Sequence, residues 1–410
     1  MWRSRYGGFS TRAAAVSEKP PHPCVENFSL SSYLRPMKRR VYLNHLSGTP
    51  LAPEVHEAMR PFFEKHHHGL AAREAIVTAR GQCAQLIGGT PEEILFTSSG
   101  TEANNLAIKG TAYAQRERGN HIVLSNIEHP SIEQSVTWLE ENGFKTSRVP
   151  VDAEGFVSPN AIAEAVTDKT ILIATHHASH DLGTIQDITA IGAIAAERGI
   201  PFLVDATASG GWLSVDVAVA NISLLSLAPH RFGGPQGAGV LFRNRRTPLE
   251  PIIHGGAQED GRRAGTENLA AIVGAGAAAA LPAVDVSALQ RQLHSGLTKS
   301  LGPILLNGAK LGTGRLPSHL NYSIDGIEGE GLALALDFQG ITIASGAACV
   351  TKNLAVPPAL TAIGLDAASA KGNVLLSLGR DTTAADIDHV LEVVPKQVDK
   401  LRSLSPAWDA

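Results

Sequence analysis

Aromatic residues make up only 5% of this 410-residue chain, charged residues 18%, and cysteine occurs three times. Each scarcity excludes something. Cys24, Cys83 and Cys349 lie far apart, so the spacing supports neither a disulfide framework nor a zinc knuckle and points to a reducing compartment. A formal net charge of −4 carries no nucleic-acid footprint. Long hydrophobic runs are also missing. The stretch "AAIVGAGAAAALPAV" is too short for a membrane span and reads as a buried helix, so no membrane partner is expected. What remains, 43% hydrophobic residues, is a globular composition long enough for a large core and a smaller one.

Residues 1–36 stand apart. "MWRSRYGGFSTRAAAVSEKPPHP" carries Arg3, Arg5 and Arg12 and no acid before Glu18. It reads as a disordered extension, or as an upstream start with Met37 as the true beginning, or as an organelle transit peptide. The first two readings place the protein in the cytoplasm; the third would place it in mitochondria.

From Arg40 onward, short apolar runs alternate with helical patterns. "EILFTSSG", "HIVLSNIEH", "TILIATHHASH", "PFLVDATAS", "ISLLSLAPH" and "GAGVLFRN" read as strands. "TEANNLAIKGTAYAQRER" and "ITAIGAIAAERGI" read as helices, the second ended by Gly199. Apolar strands separated by helices imply a mostly parallel sheet covered on both faces. Ligands of such sheets sit beyond the carboxyl ends of the strands, where "SSGTE", "EHPS", "HHASHD", "DATAS" and "PHR" fall. After about Pro282 the pattern changes to an α+β mixture, with "LPSHLNYSIDG" and "ITIASGAACV" as strands. The expected organisation is a segment 37–60 packing on the small domain, a large α/β domain 61–281, and a small α+β domain 282–410 carrying the Cys349 loop.

Three motifs bear chemistry, and each has an ordinary alternative. Gly100 and Thr101 in "SSGTEANN" stand at a strand-to-helix junction, where free N–H groups suit a phosphate but where many chains have only a capped turn. Asp205 ends an apolar strand and needs a cation or a hydrogen bond; it could instead cap the next turn. Cys349 lies in the small-residue loop "ASGAACVTKN" and is either a nucleophile or an inert small hydrophobe. The histidines form a run, His66 to His68, and a cluster, His176, His177 and His180. Adjacent residues on a strand end face opposite ways, so no metal site is expected.

These motifs occur in order with "VYLNHLSGTPLAPEV", "IEHPSI", "LGTIQDI", "PHRFGGPQGAGVLF", "GGAQEDGRRAGTEN", "EGEGLALALD" and "SLGRDTTAADID". From about Val41 to Ser405 the chain thereby resembles the cysteine desulfurases of the class V aminotransferase group. The resemblance implies a fold-type I aminotransferase-like α/β fold, pyridoxal phosphate as cofactor, a homodimer, and a sulfur acceptor or iron–sulfur scaffold as partner. It assigns Gly100 and Thr101 to the phosphate and His129 to stacking and proton transfer on the pyridine ring. Asp205 falls to the ring nitrogen, and His230 precedes the family lysine. Thr266 would reach the phosphate of the neighbouring subunit, and Cys349 would attack the substrate thiol.

Several positions depart from the family pattern. Arg231 stands where the Schiff-base lysine is expected, and a guanidinium has no neutral nucleophilic form. Ala228 replaces a phosphate-binding serine. Ala208 and His180 replace the glutamine and asparagine that meet the ring hydroxyl. Leu375 replaces an arginine for the substrate carboxylate. Each lost hydrogen bond costs on the order of 1–3 kcal/mol, so pyridoxal phosphate is expected to bind non-covalently or not at all. An internal Arg231–Asp205 salt bridge, or an anion held by Arg231, is expected instead. Three functions follow: a sulfur-transfer protein or pseudoenzyme acting through Cys349, an enzyme using non-covalent cofactor with His129 or His180 as base, or a non-catalytic scaffold or anion binder.

Overall fold

The computed structural model describes residues 39–64, 69–302, 304–345 and 356–404. The chain enters through a short strand, β1 (Val41–Tyr42). The large sheet then takes β2 (Ile94–Thr97), β3 (His121–Ser125), β4 (Lys145–Val149), β5 (Thr170–His176), β6 (Phe202–Asp205), β7 (Leu224–Leu227) and β8 (Gly239–Arg243). Its order is β2-β8-β7-β6-β5-β3-β4. The strands from β7 through β4 are parallel, while β8 runs antiparallel to both β7 and β2. Strands β3, β5, β6 and β7 are buried along their whole length. That is the apolar character of a sheet covered on both faces.

Helices α1 (Pro53–Met59), α2 (Pro61–Glu64), α3 (Leu70–Ile87), α4 (Gly100–Ala114), α5 (Pro130–Glu141), α6 (Pro159–Ala165), α7 (Ile188–Arg198) and α8 (Leu269–Ala279) accompany this sheet. Local chemistry sets their ends. Ser99 caps α4 by accepting from the Glu102 N–H, and Asp187 caps α7 by accepting from Ala190. Gly199 closes α7 in the left-handed conformation, as its position after the apolar pattern predicts. The alanine-rich stretch forms the buried helix α8, packed on α1 and α3. Val123, Ile173, Phe202, Val204 and Leu225 join one core on one side of the sheet; Leu106, Ile122, Leu172 and Leu203 join a second.

The C-terminal part adds helix α9 (Ser287–Leu301) and strands β9 (Leu305–Leu306), β10 (His319–Ser323), β11 (Ile341–Thr342), β12 (Ala344–Ser345) and β13 (Asn373–Ser377). Helices α10 (Gly329–Asp337), α11 (Pro358–Ala362), α12 (Ala367–Lys371) and α13 (Ala384–Leu404) complete it. A four-stranded sheet, β12-β13-β10-β9, carries its own core of Leu293, Leu320, Tyr322, Leu376 and Val390. The stretch read from sequence as one strand, "ITIASGAACV", divides instead: β11 pairs with β1 and β12 with β13. Residues 346–355, and with them Cys349, lie outside the described residues, as do residues 1–38 and the histidine run 66–68.

Among the described residues no helix is long and apolar enough to cross a membrane, and no group of three or more His, Cys, Asp or Glu side chains is arranged to hold a metal ion.

Candidate functional site

Parallel strands present their carboxyl ends along one edge, and the chain loads that edge with polar side chains. Asp205 is the last residue of β6. His129 follows β3, His176 ends β5 with His177 and His180 just beyond, and Arg231 lies in the Pro229–Arg231 turn after β7.

Asp205 is 3% exposed. Its Oδ1 accepts from the Thr207 N–H at 2.8 Å and the Ser226 hydroxyl at 3.3 Å; its Oδ2 accepts from Asn104 Nδ2 at 2.9 Å. Burial works to raise its pKa, but the His129 ring and the Thr207 and Asn104 hydrogen bonds outweigh it and hold the carboxyl below the usual range. Asp205 is therefore an ionised carboxylate at the carboxyl end of β6.

Asn104 extends this arrangement. Its Nδ2 also donates to Ser131 Oγ at 2.9 Å, and Ser131 Oγ lies 2.8 Å from His129 Nδ1. His129 Nδ1 further accepts the Ser131 N–H at 3.1 Å. With Nδ1 serving as acceptor, the neutral imidazole carries its proton on Nε2. Burial first, then His180 and Arg231, push the His129 pKa down to about 4. The His129 and His180 rings meet edge-to-face, their centroids 4.8 Å apart. His180 is likewise lowered to about 4, by burial and then by Arg231. Its Nε2 lies 3.4 Å from Asp181 Oδ2, and burial raises that carboxyl to about 6.

The two remaining histidines of the cluster diverge. His176 Nδ1 meets Glu128 Oε1 at 2.9 Å, and His177 Nδ1 meets the Ser209 hydroxyl at 3.0 Å. Each is committed to its own buried partner, which accords with their adjacent places at the strand end.

Arg231 donates from Nη1 to Thr207 Oγ1 at 3.3 Å. The direct Arg231–Asp205 salt bridge expected from the sequence does not occur among the ion pairs of the described residues. Asp205 spends its oxygens on Asn104, Thr207 and Ser226 instead, and Thr207 touches both partners. His230, lowered to about 4 by burial and then by Arg231, accepts through its carbonyl from the Thr49 N–H at 2.7 Å.

The head of α4 forms the neighbouring corner. A Cβ on Gly100 would stand 2.7 Å from Thr207 Cγ2 and 3.4 Å from Ala228 Cβ, so glycine permits the close approach of helix and strand ends. Ala228 presents only a methyl group there. Thr101 is exposed in the first turn. Glu102 accepts from Ser98 N at 2.8 Å and from Arg263 Nε at 2.7 Å. Through Arg263, the loop carrying Thr266 is tied to this corner. The same loop is pinned at its start, where buried Glu259 accepts from Arg80 Nη2 at 2.5 Å and from the Phe96 N–H at 3.1 Å. Thr266 itself is exposed, and no hydrogen bond among the described residues joins it to Asp205 or Arg231.

Of the residues singled out from sequence, the fold links His129, His180, Asp205 and Arg231 in one polar cluster through Asn104, Ser131 and Thr207, with His230 beside Arg231 in the turn and Gly100 against Thr207. Asn104, Ser131 and Thr207 were missed. Asn104 sits one turn after Gly100 on α4, and Ser131 follows His129 in "EHPS". Both were visible as polar residues, but nothing in the linear pattern pairs them.

As a receptacle for a phosphate-bearing pyridine, the pocket fits on the ring side: an ionised carboxylate at the end of β6 and a neutral imidazole oriented by Ser131. Arg231, in the turn after β7, carries a guanidinium, which could not itself form a covalent tether.

Residues 41–390 match the family model described as aminotransferase class-V. A cysteine desulfurase IscS of Dictyoglomus turgidum is 39% identical over 385 residues, covering 90% of this chain and 97% of the relative. Another, of Methanosarcina thermophila, is 42% identical over 383 residues, covering 90% and 94%. Among solved structures, a NifS-like protein superposes with a TM-score of 0.82 at 29% identity, covering 88% of this chain and all of that one. The structure of SspA in complex with cysteine superposes with a TM-score of 0.75 at 33% identity, covering 84% and 100%. With its fold, its ordered motifs and most of its length in agreement, the chain belongs to the class-V aminotransferase family, in the company of the cysteine desulfurases.

Proposed function

We propose that this protein is a cysteine desulfurase-like sulfur-transfer protein whose pocket works without a covalently held coenzyme. The observation that carries the reading is Arg231. It stands in the turn after β7, hydrogen-bonded to Thr207, in a pocket whose buried acid and imidazole are retained. Pyridoxal phosphate, when bound, supplies an electron sink. On this reading Asp205 would hold the cofactor's ring nitrogen by accepting its proton's hydrogen bond, His129 would serve as the neighbouring imidazole with its proton on Nε2, and Arg231 would hold an anionic group by two-pronged hydrogen bonding. Gly100, Thr101 and the N-terminal N–H groups of α4 form the phosphate corner. Thr266 from a second copy would complete it in a homodimer. Cys349 would carry the sulfur to an acceptor such as an iron–sulfur scaffold.

The test is an absorbance spectrum of the purified protein with and without added pyridoxal phosphate, followed by borohydride reduction and peptide mass mapping. A reversible band that dialysis removes, with no reduced adduct on any lysine, is the expected result. A persistent yellow colour with an adduct on a lysine overturns the reading. Incubation with a persulfide donor separately tests sulfur carriage: a label is expected on Cys349, and its absence removes that role.

A further inference from the structure

A cavity of about 460 Å3 lies against the Pro229–Arg231 turn, and none of Asp205, His129, His180 or Arg231 lines it. Its size falls within the range of small-molecule sites. Leu51, Trp212, Phe232 and Val284 supply apolar walls. The charged groups on its lining are Glu54, Asp381 and Arg380. The Arg380 guanidinium donates to the Pro282 carbonyl, and two carboxylates against this one guanidinium leave the lining with a formal charge of −1. An indole and a phenyl ring beside two carboxylates suit an organic cation. The cation gains from the aromatic quadrupole and from the acids, and its apolar body gains from the walls.

The cavity wall and the Arg231 turn form one hydrogen-bonded unit. Trp212 Nε1 donates to the Arg231 carbonyl at 3.3 Å. Thr49, also on the wall, accepts the Gly233 N–H at 2.7 Å and donates to the His230 carbonyl at 3.1 Å.

We propose that this cavity is a binding site for a small organic ammonium ion bearing an aromatic or branched apolar group, separate from the Arg231 pocket but sharing its turn. The proposal stands independently of any sulfur chemistry.

Benzyltrimethylammonium is the probe of choice, because it is permanently cationic and cannot condense with a carbonyl group in the neighbouring pocket. Isothermal titration calorimetry on the full chain should show one saturable site per chain. Phenylacetate and benzyl alcohol should bind at least about tenfold more weakly, a difference of ~1.4 kcal/mol. The double variant Glu54→Gln, Asp381→Asn changes two exposed side chains and leaves the core intact; it should weaken the cation about tenfold. Leu51→Arg should abolish binding by placing a like charge at the mouth. Absence of saturable binding, equal binding of phenylacetate, or an affinity unchanged by the double substitution would each overturn the proposal.

Discussion

The Arg231 guanidinium donates to the hydroxyl of Thr207 across 3.3 Å, and the backbone N–H of the same threonine donates to Asp205. The positive and negative poles of the pocket are thus spaced by one residue rather than joined. A direct ion pair would neutralise both.

Arg231→Lys should therefore convert the pocket. A lysine at this position has a neutral form that can condense with an aldehyde. Burial, which lowers His230 and His129, would lower the lysine as well. The variant incubated with pyridoxal phosphate should turn yellow and, after borohydride, carry the adduct on residue 231. The unsubstituted protein should carry none. A colourless variant that remains folded would show that the pocket no longer admits the cofactor.

Asp205→Asn should separate charge from shape. The substitution keeps the volume but replaces one carboxylate oxygen with a donor facing donors; with its oxygen kept toward Thr207 and Ser226, the amide loses the bond from Asn104. Thermal or urea unfolding should show a loss of about 1–3 kcal/mol. Pyridoxal phosphate affinity, read by absorbance titration, should fall by more than about tenfold. Unchanged affinity would remove Asp205 from the binding machinery.

Stability should decline in mild acid. His129, His177, His180 and His230 are each held near a pKa of about 4 in the folded chain, against an unfolded value near 6.5. The unfolded chain binds more protons between those values, so their contribution is present above about pH 6.5 and is lost as pH falls toward 4. Each group is worth on the order of 3 kcal/mol at most. Asp181, raised to about 6, works the other way, favouring the folded state as pH drops through its own window. His319, His45, His121 and His294 are lowered as well, mainly by burial, whereas His176 beside Glu128 is raised and sides with Asp181; the lowered imidazoles outnumber the raised groups, so urea midpoints should fall between pH 7 and pH 5. A flat profile would contradict the burial of these rings as neutral imidazoles.

Arg80→Ala should be among the more damaging single changes away from the pocket. It would leave Glu259, 6% exposed, with its charge uncompensated, at a cost of about 3–5 kcal/mol. Glu259→Gln keeps an acceptor for the Phe96 N–H and should cost less. Equilibrium denaturation of the two variants checks the order.

Much of the fold was legible in the chain. Ser99, Asp187 and Gly199 mark helix ends because capping is a local matter between neighbours. The buried strands announced themselves by their apolar runs, and parallel order then carried Asp205, His129 and Arg231 to the same edge. What was not legible involves partners far apart in sequence. Asn104 reaches Asp205 across 101 positions and Arg80 reaches Glu259 across 179, and no periodicity encodes such a pairing. The division of "ITIASGAACV" between β11 and β12 was hidden as well, since a continuous β pattern does not say which neighbour each half will take.

The sequence by itself determined the alternation of strand and helix, the family, and a guanidinium at position 231, because these follow from residue identity and near-neighbour spacing. Only the tertiary structure decided that Arg231 bonds to Thr207 instead of Asp205, that His180 abuts His129, and that a second cavity shares the Arg231 turn. Those outcomes depend on which side chains the packed sheet brings within a few ångströms. A buried carboxylate takes the donors nearest to it, and that choice is made in space rather than along the chain.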